Sequence, residues 1–236
     1  LPVWIPGSYL VREFARHLSG LQAHQGGRAV AVQQLDKASW RAACTGRGAL
    51  TVSYLVYAFD TSVRAAYLDA SRGFFNGTSV FLRVDGAQSQ PHRLQIGALP
   101  RGWQVATALN PLKVDGAGRG SYVAADYDEL VDHPVELGPF WRGHFNAGGV
   151  PHEFVIAGAL PDFDSDRLLV DTQRICEAEI SLWHGKPGRG GGRVTPLPFK
   201  RYVFMLNAVD EGHGGLEHRA STALIAPRRD LPQRGK

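Results

Sequence analysis

Arg201-Tyr-Val-Phe-Met-Leu-Asn-Ala208 and, after a loop rich in glycine and acid, Gly214-Gly-Leu-Glu-His-Arg-Ala-Ser-Thr-Ala-Leu-Ile-Ala226 are the stretches on which the fold turns. Tyr202 to Leu206 is a short apolar run of strand type, and Ala220 to Ala226 is a second, carrying Thr222, Leu224 and Ile225. One carboxylate, Glu217, lies between the two runs. Gly214 and Gly215 let the backbone come close to a bound molecule, and Glu217 follows where extended structure should resume, so a rigid element would hold its side chain. Such a carboxylate suits a cation. The same residues also read as a hairpin with a glycine loop and a solvated Glu, so the rest of the chain has to decide.

Working outward, Leu50-Thr-Val-Ser-Tyr-Leu-Val-Tyr-Ala-Phe59 is the clearest strand, with Val52, Tyr54, Val56 and Ala58 on one face. Further strands are expected at Ala29–Gln33, Ser79–Val84, His92–Ile96, Gln104–Ala108, Phe154–Ile156 and Leu168–Val170. Many short strands between Gly, Pro, Asn and Asp clusters predict a mainly β chain, an antiparallel β-sandwich or saddle-like sheet. The pattern changes at Asp171. Thr172, Ile175, Cys176, Glu179, Leu182 and Trp183 follow helical spacing, with Asp171 as N-cap and Gly185 as stop. Lys186 to Arg193 reads as a linker, since no strand precedes it and no Lys-Ser/Thr closes it as a phosphate loop requires.

Composition narrows the function classes. The 236 residues are 44% hydrophobic, ample for a packed core, and a net charge of +4 with scattered Lys and Arg gives no stripe for nucleic acid. No stretch approaches the about 20 apolar residues that span a bilayer, and the start lacks a signal-peptide pattern, so no membrane partner is expected. Leu1-Pro2-Val3-Trp4 reads as the middle of a strand, which places the natural N-terminus upstream. Cys44 and Cys176 are far apart and outside any ligand spacing; Cys176 is read as a small core residue, and the pair does not fix the compartment.

Catalytic motifs are missing. His152-Glu153 opens like a zinc helix, but Ile156 stands where the second His belongs, and His213 and His218 do not share a helix face. There is no GxSxG elbow and no Cys with a base beside it. Asp126-Tyr-Asp-Glu-Leu-Val-Asp132 before His133-Pro134 could bind a cation or line a cleft, or be a solvated loop. Asn76-Gly77-Thr78 reads as a hairpin turn more than as a glycosylation site. Trp4 to Phe14 holds a Pro-Gly turn carrying Tyr9 and Arg12.

Pro2-Val-Trp-Ile-Pro-Gly-Ser-Tyr-Leu-Val-Arg-Glu-Phe14, Ser62 to Arg83, Asp126 to Gly138 and Gly214-Gly-Leu-Glu-His-Arg-Ala-Ser221 together resemble, in order and over nearly the whole chain, the glycyl aminopeptidase family of zinc metallopeptidases. That resemblance implies an N-terminal β-rich domain, here residues 1–165, and the opening helix and strands of a thermolysin-like α+β catalytic domain, here 166–236. In the family the zinc helix carries HExxH with a downstream Glu, and a PDZ module commonly follows. This sequence holds none of those ligands, so the resemblance implies a fragment: zinc belongs to the full-length protein and none is bound here, catalytic residues and metal ligands are absent from the chain, and the fragment alone is inactive. Related aminopeptidases carry G-x-M-E-N on an edge strand whose Glu holds the substrate's α-amino group. Gly215-Leu-Glu-His218 is similar, with Leu216 for Met and His218 for Asn. By that resemblance Glu217 is the amine anchor, and Gly214, Gly215, Leu216, His218 and Tyr9 are candidates for the cleft that receives a peptide with a free N-terminus, small residues such as Gly preferred. The missing zinc-helix and PDZ regions would be partners in the same protein, and strands made to pack on them would leave an apolar face that favours homo-oligomers. The reading from another class is a non-catalytic β-sandwich module for protein interaction or ligand binding.

Overall fold

The computed structural model describes residues 1–185 and 195–235, so the expected linker Lys186 to Arg193 lies outside the described residues. The chain opens without a paired strand over Leu1–Trp4, contrary to expectation: Pro2 and Pro6 withhold two backbone donors, and the first helical turn is a 3-10 segment at Phe14–His17. Then come β1 (Leu18–Gln25), β2 (Arg28–Val30), β3 (Val32–Asp36), β4 (Ser39–Ala42), β5 (Leu50–Val56), β6 (Ala66–Leu68) and β7 (Gly73–Phe75). A short helix α1 (Gly77–Val80) leads to β8 (His92–Ile96), β9 (Gln104–Ala106), β10 (Asn110–Val114) and β11 (Gly120–Ala124). A second short helix, α2 (Tyr127–Val131), precedes β12 (Val135–Gly138), β13 (Trp141–Ala147) and β14 (Val150–Ala157). The long helix α3 (Ser165–His184) is followed by β15 (Tyr202–Val209), β16 (Gly214–Glu217) and β17 (Ser221–Pro227).

The mainly β expectation holds. The first twelve strands form small antiparallel sheets in the orders β2-β1-β5, β3-β4, β10-β11-β8 and β6-β7-β12-β9. The remaining five make one mixed sheet, β13-β14-β15-β17-β16, in which β14, β15 and β17 run parallel. Parallel neighbours need a crossover, and α3 supplies the one between β14 and β15.

Period two then gives this sheet two different faces. Val155, Val203, Met205, Leu216 and Ala223 point into a core shared with Ile5 and Phe74 of the earlier segments. Phe154, Leu206 and Leu224 point the other way, toward Leu168 and Leu169 of α3 and toward Phe163. A third core lies under α2, where Tyr127 and Val131 are fully buried among Leu109, Val135 and their neighbours.

Several expectations are corrected. Leu168–Val170 is not a strand; it lies in α3, whose N-cap is Asp164 rather than Asp171, with the Asp164 carboxylate accepting from Arg167 N at 3.1 Å. Three apolar residues in a row fit either period, and the upstream cap decides in favour of the helix. Asp171 instead sits inside α3, between Arg167 and Arg174 at 3.7 and 3.6 Å. Gly185 does end the helix, with φ +84°. Cys176 is half-buried rather than a core residue, since α3 has no fully buried residue. Ser79–Val84 is not a strand, nor is Asn76-Gly77 a hairpin turn. Asn76 is buried and donates from Nδ2 to Val63 O at 2.5 Å, and Gly77 opens α1 at a place where a Cβ would stand 2.7 Å from Val131 Cα, so no larger residue fits there. The Asp126–Asp132 cluster is no loop either. Asp126 caps α2 by accepting from Glu129 N at 2.7 Å, and Asp128 and Glu129 occupy the first turn, where the helix dipole favours acids.

Candidate functional site: the free edge of the five-stranded sheet

β16 opens on Gly214 and Gly215 and a turn follows it; among the described residues it pairs only with β17, so it forms the edge of the sheet. Its register is Gly214↔Ile225, Gly215↔Leu224, Leu216↔Ala223 and Glu217↔Thr222. His218 N donates to Ser221 O at 2.8 Å and closes the turn. In an antiparallel pair, hydrogen-bonded and open positions alternate. Counting back from that bond, Leu216 faces β17 with its backbone, while Gly215 and Glu217 turn their N–H and C=O groups outward, away from the sheet.

Side chains alternate as well. Leu216 is buried in the core between the two halves of the molecule, so its side chain faces away from the edge. Glu217 is exposed on the opposite face, and among the described residues its carboxylate has no hydrogen-bond or ion-pair partner. Gly215 leaves room beneath it: a Cβ there would lie 3.6 Å from Glu217 Oε1. On the same face and in the same row stand Thr222, Phe204 and Phe154, the two rings stacked 5.2 Å apart. Tyr202 adjoins Phe204 at 5.0 Å, and its hydroxyl is pushed up to about 12, chiefly by burial, with the Cys176 and Glu217 charges adding to the shift. The edge therefore presents two outward backbone positions, an exposed carboxylate and an aromatic floor.

The N-terminal turn closes one end of this edge. Gly7 has φ +74°, and a Cβ on it would meet Leu216 Cδ1 at 2.9 Å and Glu217 O at 3.6 Å. The close approach and the left-handed backbone both require glycine there. Tyr9, two residues on, projects fully into solvent, and Arg12 is turned back onto Ser8 Oγ at 2.6 Å. Thus Gly215 and Glu217 open onto the edge, whereas Gly214, Leu216 and His218 turn their backbones to β17 and Leu216 and His218 bury their side chains, so these three stand beside the edge without facing it, and Tyr9 stands on the neighbouring turn.

The side chain of His218 is wholly buried and points to the other half of the molecule. Its Nδ1 donates to Asp132 Oδ1 at 2.9 Å, while Arg219 Nε donates to Asp132 Oδ2 at 2.8 Å. Burial pushes the Asp132 carboxyl up, but His218 and Arg219 together hold it below the usual carboxylate range. Sequence reasoning missed this bridge. Asp132 and His218 are 86 residues apart, and no local signal links them.

For zinc the described residues offer no place: no three His, Cys, Asp or Glu side chains come together. His213 is exposed, 3.6 Å from Asp230, while His218 is committed to Asp132.

The peptidase M61 N-terminal domain family profile matches residues 1–139. No curated protein sequence matches the chain. Among solved structures, an aminopeptidase N family protein from Idiomarina loihiensis is similar over 100% of this chain, at 39% identity and a TM-score of 0.91. Yeast LTA4 hydrolase is similar over 89% of this chain and 34% of its own, at 12% identity and a TM-score of 0.50, a likeness of fold alone. The M1 zinc metallopeptidase from Deinococcus radiodurans aligns over 88% of this chain and 50% of its own, at 18% identity and a TM-score of 0.47. The chain spans 38% of the length of the Idiomarina protein. With the profile covering more than half of its residues, the chain belongs to the peptidase M61 N-terminal domain family.

Proposed function

We propose that the chain is part of a longer zinc-dependent aminopeptidase that removes small N-terminal residues such as glycine, and that it supplies the wall of the substrate cleft. The observation that carries this reading is Glu217: a carboxylate without a partner among the described residues, on an edge strand, over a glycine, beside outward-facing backbone groups. A peptide laid along β16 would extend the sheet by pairing with the outward N–H and C=O of Gly215. Its α-ammonium would then meet Glu217 and form charge-assisted hydrogen bonds to the carboxylate. The Pro6-Gly7 turn limits the edge beyond Glu217, which suits recognition of a chain end rather than a chain interior.

Zinc, in this reading, is held by residues of the longer protein outside the 236 described by the sequence, as is any PDZ module; within these residues the chemistry is binding and orientation. The β-rich N-terminal domain would span residues 1–165, within which the family match over 1–139 falls, and the opening of the catalytic domain would span 166–236.

The test is made on the full-length protein, with peptides carrying a free or an acetylated N-terminus. Glu217→Ala is expected to lower kcat/KM for the free-amine peptide by about 10- to 100-fold, the worth of a charge-assisted hydrogen bond. Undiminished activity in that variant overturns the assignment.

A further inference from the structure

Glu217, His218 and Arg219 are consecutive, and a single carboxylate from the other half of the molecule holds two of the three. We propose that Asp132 is a positioning residue that fixes the end of β16, and so aims Glu217 into the cleft. The inference rests on the reading of Glu217 as the amine anchor.

Asp132 is well placed to act as a fixed point. It ends α2, its own N–H bonded to Asp128 O at 3.1 Å, and α2 is locked by the fully buried Tyr127 and Val131. Tyr127 also donates its hydroxyl to Phe81 O at 2.6 Å, and Val131 Cα leaves no room for a side chain at Gly77. The carboxylate is therefore carried on a rigid support, as precise positioning requires.

His218 depends on it. The imidazole is buried, its Nδ1 donates to Asp132, and its Nε2 has no partner among the described residues. Without Asp132, neither ring nitrogen would have a polar partner, and a buried polar group in that state tends to leave its place. Successive side chains point to opposite faces of a strand, so while His218 is drawn toward Asp132, Glu217 must point away from it, to the open face. Arg219, half-exposed, tethers the next residue to the other oxygen of the same carboxylate, so the strand end cannot rotate about a single contact. Bidentate use of one acid by two neighbours gives orientation as well as attachment.

The experiment is steady-state kinetics on the full-length protein, again with a free-amine peptide as substrate. Asp132→Ala and His218→Ala are expected to raise KM about tenfold while kcat stays within about twofold, because the anchor is misaimed and the reacting groups are untouched. His218→Asn, whose amide can still donate to Asp132, should keep a wild-type KM. In the double variant Asp132→Ala/Glu217→Ala, the loss should be no greater than in Glu217→Ala alone, since both act on one contact. A fall in kcat with KM unchanged would mark a merely structural role and overturn the proposal. Should Asp132→Ala fail to fold, Arg219→Ala decides, because its side chain is half in solvent and alanine leaves no donor for Asp132: KM should rise by a few-fold, and an unchanged KM overturns the inference. If Glu217→Ala itself leaves kcat/KM for the free-amine peptide undiminished, the reading of the anchor fails. If Glu217→Ala raises KM but Asp132→Ala and His218→Ala do not, only the positioning role fails.

Discussion

Removing Arg72 tests whether a buried ion pair holds the middle of the N-terminal unit together. Glu136, on β12 between β7 and β9, is 1% exposed. Arg72 reaches it from the β6–β7 turn with Nε on Oε1 and Nη2 on Oε2, both at 2.7 Å, and lies 5.1 Å over the ring of Phe74. Burial pushes Glu136 up to about 7, even though the Arg72 guanidinium pulls the other way. In Arg72→Ala the opposing pull is gone and the buried acid has no partner, a change that costs about 3–5 kcal/mol, against a total stability of about 5–15 kcal/mol for a typical domain. The cost should depend on pH. A carboxyl whose folded pKa is raised is protonated in the folded state and ionised in the unfolded state between the two values, so its stabilisation is lost as pH rises. In the wild type that loss ends near pH 7, whereas in the variant, whose Glu136 titrates higher, it continues. The deficit should therefore widen by up to about 1.4 kcal/mol per pH unit above 7. Urea denaturation of both proteins at pH 5.5 and pH 8.5 reads this directly, and the difference between the two proteins cancels every other titrating group. Replacing both partners by apolar residues, Arg72→Met with Glu136→Leu, should recover most of the loss. A deficit below about 1 kcal/mol that is equal at both pH values would refute the account.

Two further predictions follow from the same geometry. Gly7→Ala places a Cβ 2.9 Å from Leu216 Cδ1 on a left-handed residue, so thermal melting should show a loss of roughly 1–3 kcal/mol, and KM for a free-amine peptide should rise with it as β16 shifts; an unchanged melting temperature would exclude the close approach. The strands expected to leave an apolar face bury it instead, Val203, Met205, Leu206 and Leu216 all lying in the core, and it is α3 that exposes Ile175, Leu182 and Trp183, so the 236-residue chain on its own is expected to self-associate, and light scattering showing a clean monomer at all concentrations would contradict this.

Local signals in the chain carried much of this molecule. The alternation of Leu50 to Phe59, the apolar runs at Tyr202 and Ser221 and the stop at Gly185 are period and cap effects, and each produced the element it implied. Glu217 beside Gly215 was legible for the same reason, because strand, glycine and acid are neighbours in sequence. The failures share a cause too. Leu168–Val170 and Ser79–Val84 are apolar runs that fit two periods, and caps and packing outside those runs settled them, as Asp164 and Val131 show. The acids of Asp126–Asp132 were visible, but that Asp126 caps a helix and that Asp132 receives His218 depends on where the backbone places them.

What the amino-acid order determined by itself was the β-rich character and an acid beside glycines next to a strand, because each depends on residues within a few positions of one another; that this strand is an edge is a matter of sheet order. Only the tertiary structure decided that β14, β15 and β17 run parallel, that Gly7 abuts the strand end, and that Asp132 holds His218 and Arg219. Those contacts join segments far apart in the chain, and their energies come from burial and from partners that no local pattern encodes.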